Sequence, residues 1–280
     1  MTPSSSSALV RALVAASAVL VAGCADNSAS VQIRHLIAPQ ANPSLPGACS
    51  LSNDPGSPKL LASVLDVALR DNYIVFPLIQ NNLFANRSGE LNRPDQRAIM
   101  GQYVDVELTT LSGALLSLGT APSTYRVPMN SDVIPAGITS APGFGVVEVS
   151  AIPGPQGQAL RERLGCTGFA TGVAPPAAFC SNASETIQVT LRPTFRTVGG
   201  VELTSAVGAV WKNVAPYTFP LTICCGCLLS IPSGYTPACQ PATMMATTPA
   251  TTTGYCLAGQ DLPLACTQCG GAAQCSRSGC

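Results

Sequence analysis

Nine of the thirteen cysteines fall in the C-terminal stretch 224–280, and from residue 213 onward the only charged side chains are Asp261 and Arg277. Such a stretch has little periodic apolar sequence from which to build a core, and small modules of this kind are normally held by cross-links. We therefore expect 224–280 to be an irregular cysteine-rich cap stapled by disulfides. The Thr-, Pro- and Met-rich segment 241–253 reads as a loop within it. Whether those thiols meet an oxidising compartment depends on the other end of the chain.

Residues 1–23 begin with a polar stretch, carry one positive charge at Arg11 and continue as an apolar run from Ala12 to Ala22. That is the form of a secretory signal peptide, and its apolar part is only about half the ~20 residues that span a bilayer as a helix. The junction Leu20-Val21-Ala22-Gly23-Cys24 resembles the lipobox of bacterial lipoproteins. The resemblance implies that Cys24 becomes the mature N-terminus and carries acyl chains such as palmitate, two or more of which anchor a protein stably. The residue after Cys24 is Ala25, with Asp26 one later. In the sorting rule of many such lipoproteins this favours the outer membrane, without fixing whether the periplasmic or the outward face displays the protein.

Setting Cys24 aside leaves Cys49, Cys166, Cys180, Cys224, Cys225, Cys227, Cys239, Cys256, Cys266, Cys269, Cys275 and Cys280. An even number in an exported chain favours a full set of disulfides. Three of the twelve precede the cap and nine lie in it, so complete pairing requires at least one bond between the two groups. Cys166 with Cys180 is the expected local pair, leaving Cys49 to cross into the cap. Adjacent Cys224 and Cys225, if extended, point to opposite faces and should seek different partners. The alternative is zinc, because Cys224-x-x-Cys227 and Cys266-x-x-Cys269 each have the spacing of a ribbon knuckle. The 38 residues between them exceed the customary ~15–20, and export favours oxidation over thiolate coordination.

Residues 24–59 are rich in Ser, Asn, Pro and Ala and read as a lipidated N-terminus and tether, with His35 an exposed linker residue. From 60 to 223 the dominant signal is period-two alternation. Val104-Asp105-Val106-Glu107-Leu108, Val147-Glu148-Val149-Ser150-Ala151, Ile187-Gln188-Val189-Thr190-Leu191-Arg192 and the run from Tyr217 to Ile223 each present one face inward and one toward water. Segments 63–69, 73–80 and 124–129 are further strands, Val198-Gly199-Gly200-Val201 a tight turn, and 158–164 one short helix. Pro77, Pro128 and Pro220 predict edge or bulged strands. The expected fold is all-β, an antiparallel, immunoglobulin-like β-sandwich followed by the disulfide-stapled cap.

The composition excludes several chemistries. Fourteen basic against fourteen acidic residues leave no basic surplus for phosphates, so nucleic acid is not an expected partner. A single histidine, His35, cannot build a multi-imidazole metal site or a serine triad, and no Gly-x-Ser-x-Gly elbow is present. The acidic pairs Asp66 with Asp71 and Asp105 with Glu107 have the spacing of solvated surface positions rather than of a paired acid and base. No phosphate-cradling loop occurs, and Trp211 reads as a partly buried strand-end residue.

Leu65-Asp66-Val67, Pro77-Leu78-Ile79, Asn81-Asn82-Leu83 and the block from Thr218 to Leu228 resemble a group of cysteine-rich bacterial lipoproteins of the myxobacterial type, over about residues 20–230. That resemblance implies one globular domain with a cysteine-rich end and brings no activity, cofactor or catalytic residue. The expected function is therefore non-catalytic: a lipid-anchored envelope protein that meets the membrane through its lipid and an envelope protein or polysaccharide through its β-domain. The alternative is a metal-binding or thiol-redox module built on the C-terminal cysteine pairs.

Overall fold

The alternating runs become strands because period two matches the pleat, so that one apolar row faces a core while the other meets water. The computed structural model describes residues 29–41, 49–84, 96–138, 141–166, 183–205, 213–230, 236–237, 257, 259–261, 264–265 and 275–276. In chain order the elements are β1 (Val31–Leu36), β2 (Gln40–Ala41), β3 (Cys49–Ser50), β4 (Ser63–Asp66), β5 (Tyr73–Val75), β6 (Pro77–Asn81), β7 (Ile99–Thr110), β8 (Thr124–Ser131) and β9 (Gly143–Ile152). Helix α1 (Gly154–Arg163) follows, then β10 (Ser184–Thr197), β11 (Glu202–Thr204) and β12 (Tyr217–Cys224). Two-residue strands β13 (Leu229–Ser230), β14 (Thr236–Pro237), β15 (Leu264–Ala265) and β16 (Cys275–Ser276) lie in the cysteine-rich region.

Ten strands form one sheet in the order β1-β6-β9-β8-β7-β10-β12-β4, with β11 against β10 and β5 against β9. Every pairing in it is antiparallel except β12 with β4, which is parallel. The protein is thus mostly β, as its alternation requires, with these strands joined in one mixed sheet. The sheet curls into a half-barrel. Val31 N–H donates to Asn213 O at 3.0 Å and Leu60 N–H to Leu36 O at 2.9 Å, so β1, at one end of the order, meets the segments leading into β12 and β4 at the other. One large apolar cluster packs on the sheet, with Val31, Leu65, Tyr73, Ile99, Leu108, Ile152, Ile187, Leu191, Phe195 and Leu221 all fully enclosed, and a smaller one gathers Ile37, Phe76 and Leu78.

The register is reinforced by side-chain hydrogen bonds between strands. Threonine hydroxyls bridge β10 to β12 at Thr186–Thr222 (3.1 Å) and Thr190–Thr218 (2.9 Å), and β10 to β11 at Thr194–Thr204 (3.0 Å). Such cross-strand pairs contribute roughly 0.2–1 kcal/mol each. The turn between β10 and β11 uses Gly200 at φ +92°, the freedom expected of Val198-Gly199-Gly200-Val201.

Two expectations are corrected. Residues 31–36, read as tether, form β1 paired with β6, and His35 is only 8% exposed, so it is a sheet residue and not a linker one. Of the edge or bulged strands expected at the prolines, the edge reading is corrected, since β6, β8 and β12 all have neighbours on both sides, while β6 does meet β1 across a register shift. Pro77 opens β6, Pro128 sits in β8 just before its pairing with β9 begins, and Pro220 lies in β12 one residue before pairing with β4 begins. Each falls where a ladder starts on one side, which accommodates a missing donor as well as an edge does.

Candidate functional site

Four segments converge at one end of β12, and each is brought there by a local cause. Helix α1 ends at Arg163, and Gly165, at φ +64°, reverses the chain just beyond it while Cys166 N–H donates to Arg161 O at 2.9 Å. That turn delivers the Cys166 sulfur to Cys225, with which it forms a disulfide 59 residues apart in sequence. Cys166 therefore does not pair with Cys180, as its local spacing had suggested; Cys180 lies outside the described residues. This bond is itself the link between cap and β-domain that the cysteine count demands. Closing a loop of that length removes about 4 kcal/mol of unfolded-chain entropy, taken at face value.

Cys224 is the last residue of β12 and bonds to Cys227, three residues on. Gly226, at φ +79°, supplies the left-handed residue that lets so short a loop close. Adjacent Cys224 and Cys225 thus take different partners, as their opposite directions in an extended chain require. A four-residue loop removes only about 2 kcal/mol of chain entropy by the same reasoning. The two bonds also differ in access. Cys166, Cys224 and Cys225 are buried, whereas Cys227 is exposed.

Beneath the turn lies Asp66, at the end of β4 and opposite Cys224 in the parallel ladder. Its side chain is fully buried. Oδ1 accepts hydrogen bonds from Gly226 N–H at 2.7 Å and Ala68 N–H at 3.1 Å, and Oδ2 accepts one from Leu228 N–H at 3.0 Å. Burial pushes its carboxyl above the ordinary carboxylate range, opposed by those backbone donors. The expectation of a solvated acid at this position is corrected: Asp66 anchors a turn. Two of the three amides that satisfy it, those of Gly226 and Leu228, lie 160 and 162 residues away, so most of its role is not written in its own neighbourhood. One signal was present, since Asp66 interrupts the otherwise apolar run from Val64 to Leu69.

A second anchor comes from Gln260 and Asp261, within the cysteine-rich stretch. The Gln260 carboxamide accepts from Ile74 N–H at 3.0 Å and donates to Ile74 O, standing in for a strand neighbour of β5. Asp261 accepts from Val64 N–H and from the Tyr73 hydroxyl, each at 2.8 Å. Its φ of +61° is one that Asp tolerates better than most residues.

Of the four residues expected as alternative zinc ligands, Cys224 and Cys227 are joined as a disulfide, and a disulfide sulfur is not a thiolate ligand. Cys266 and Cys269 lie outside the described residues. Among the described residues, Asp66, Cys224 and Cys227 hold their ligand atoms within 4.8 Å of one another and could grip an ion if the bond were reduced. Cys24, Cys239, Cys256, Cys280 and Trp211 also lie outside the described residues, while Cys49 and Cys275 fall in the short strands β3 and β16. Of the acids expected at the surface, Asp105 and Glu107 are met by arginines. Arg126 makes a bidentate pair with Asp105 at 2.7 and 3.0 Å, and Arg192 approaches Glu107 at 3.6 Å. Comparison with known proteins returns no matching family model, curated protein or solved structure.

Proposed function

We propose that the chain is a lipid-anchored protein of a bacterial envelope, akin to the cysteine-rich lipoproteins its sequence resembles, in which the curled sheet acts as a sandwich-type scaffold for binding or structural work. The observation that carries this reading is the junction Leu20-Val21-Ala22-Gly23-Cys24 at the end of an apolar leader. Two intrachain disulfides support it, because such bonds persist in exported proteins and are rare in reducing compartments. Among the described residues no helix is long and apolar enough to cross a membrane, so the lipid on Cys24 would carry the attachment.

In this reading the leash is short. Seven Cα steps separate Cys24 from Val31, the first residue of β1, and span at most about 25 Å. The sheet would stand close to the lipid headgroups and meet its partner there. A shallow groove along β8 and β9, where Met129 and Phe144 lie beside Asn130, Asp132 and Glu148, offers mixed polar and apolar contacts of the kind an envelope protein or polysaccharide takes.

The test is the intact mass of the protein extracted from its native membrane. A mature chain beginning at Cys24 with added acyl mass, together with release of Cys24→Ser into the soluble fraction, is the expected result. An unmodified Cys24, or a chain still carrying residues 1–23, overturns the reading.

A further inference from the structure

We propose that the Cys224–Cys227 disulfide is a thiol–disulfide exchange site, at which an external dithiol attacks the exposed Cys227 sulfur and is itself oxidised. This goes beyond anchoring and does not depend on it. Three observations carry the inference. The first is access: Cys227 is exposed while its partner Cys224 is fully buried, so an incoming thiolate can reach one sulfur and not the other. The second is contrast. The neighbouring Cys166–Cys225 bond, one residue away in sequence, is buried at both ends and holds the helix to the sheet.

The third is that the turn does not need its own disulfide to keep its shape. Gly226 and Leu228 amides are gripped by Asp66, Cys224 O accepts from Val67 N–H at 2.9 Å, Cys225 N–H donates to Ala183 O at 3.0 Å, and the Cys225 sulfur is tied to Cys166. Breaking the Cys224–Cys227 bond leaves every one of these contacts in place. The two sulfurs then remain side by side, ready to re-form the bond, which a reversible site requires and a purely structural staple does not.

One thiolate of the dithiol forms a bond to Cys227 Sγ as the Cys227–Cys224 bond breaks, and the electron pair leaves on Cys224 Sγ. The Cys224 thiolate, enclosed beside the Asp66 carboxyl, takes up a proton and becomes a neutral thiol. The second thiol of the reductant loses its proton and attacks the mixed disulfide, releasing Cys227 as thiolate. The dithiol ends as a disulfide, having given two electrons to the cysteine pair, with its two thiol protons passing to Cys224, Cys227 or solvent. In the reverse direction Cys227 is the nucleophile and Cys224 the resolving thiol.

The experiment uses the full-length oxidised protein without denaturant. It is exposed to graded dithiothreitol at neutral pH, quenched in acid, alkylated and mapped by mass spectrometry while the far-ultraviolet circular dichroism is followed. Cys224 and Cys227 are expected to become reactive at least tenfold sooner than Cys166 and Cys225, with the β signal unchanged. Reduction of both bonds at one rate, or only as the β signal is lost, overturns the proposal. A second arm needs no intact bond at 224–227. Cys224→Ser is expected to form a mixed disulfide at Cys227 with glutathione disulfide, whereas Cys227→Ser leaves Cys224 unmodified; equal reactivity of the two overturns the assignment of Cys227 as the attacked sulfur.

Discussion

The carboxylate of Asp66 and the amide of Gly226, 160 residues apart in the chain, meet at 2.7 Å. Together with the bonds from Leu228 and Ala68, this contact makes one buried side chain the acceptor for three backbone donors. Asp66→Ala strands those donors in a water-poor site, where each unmet group costs about 1–3 kcal/mol. A loss on the order of 3 kcal/mol is expected in urea unfolding followed by circular dichroism, with a smaller loss for Asp66→Asn, which keeps one acceptor. A change below about 0.5 kcal/mol for the alanine variant would show that Asp66 is not the anchor.

The two disulfides should contribute unequally. Replacing Cys166 and Cys225 together by serine opens the longer loop and is expected to cost about 4 kcal/mol, against about 2 kcal/mol for the Cys224 and Cys227 pair. Midpoints of chemical denaturation for the two double variants measure the difference. Equal losses would mean that loop length is not what separates the bonds.

His35 gives stability a pH dependence of known sign. Burial first, and then the charges of Lys59 and Arg34, lower its pKa below 6.5. The unfolded chain therefore takes up this proton at a higher pH than the folded one. The contribution is full above about pH 6.5 and is lost as pH falls through that value toward the lower folded pKa. His35→Leu removes the titration and should flatten the fall in unfolding free energy between pH 7.5 and 5. A slope unchanged by the substitution contradicts the argument.

Gly157 sits inside α1, where alanine normally gains up to about 1 kcal/mol of helix propensity. Here a Cβ would lie 1.7 Å from the carbonyl oxygen of Asp71, so the helix rests against backbone that has no room to yield. Gly157→Ala is expected to destabilise by about 1–3 kcal/mol despite the propensity gain. Gly154→Ala, whose Cβ meets nothing nearer than 3.8 Å, serves as the control and should be close to neutral.

What the sequence made legible follows from where each signal is stored. The strands around Val106, Val149, Val189 and Leu221 were readable because alternation is written within a few neighbouring residues. β1 was hidden by averaging, since Val31-Gln32-Ile33-Arg34-His35-Leu36 is short and flanked by Ser-, Asn- and Pro-rich sequence. The need for a bond between cap and β-domain followed from parity alone, but its partners did not, because the left-handed turn at Gly165 and the end of β12 become neighbours only in three dimensions. Asp66 was missed for a related reason. A carboxylate is judged from its sequence neighbours, and those that satisfy it through Gly226 and Leu228 are supplied from the opposite end of the domain.

The parallel pairing of β4 with β12 has a consequence in time as well as in space. Ser63 emerges from any ribosome or translocation pore long before its ladder partner Leu221, and Val31 waits for Asn213 in the same way. Contacts so distant along the chain slow folding, because long loops must close before they are rewarded. The outer edge of β4 and the start of β1 therefore wait unmatched during synthesis or export until the segment carrying Asn213 and β12 has followed them.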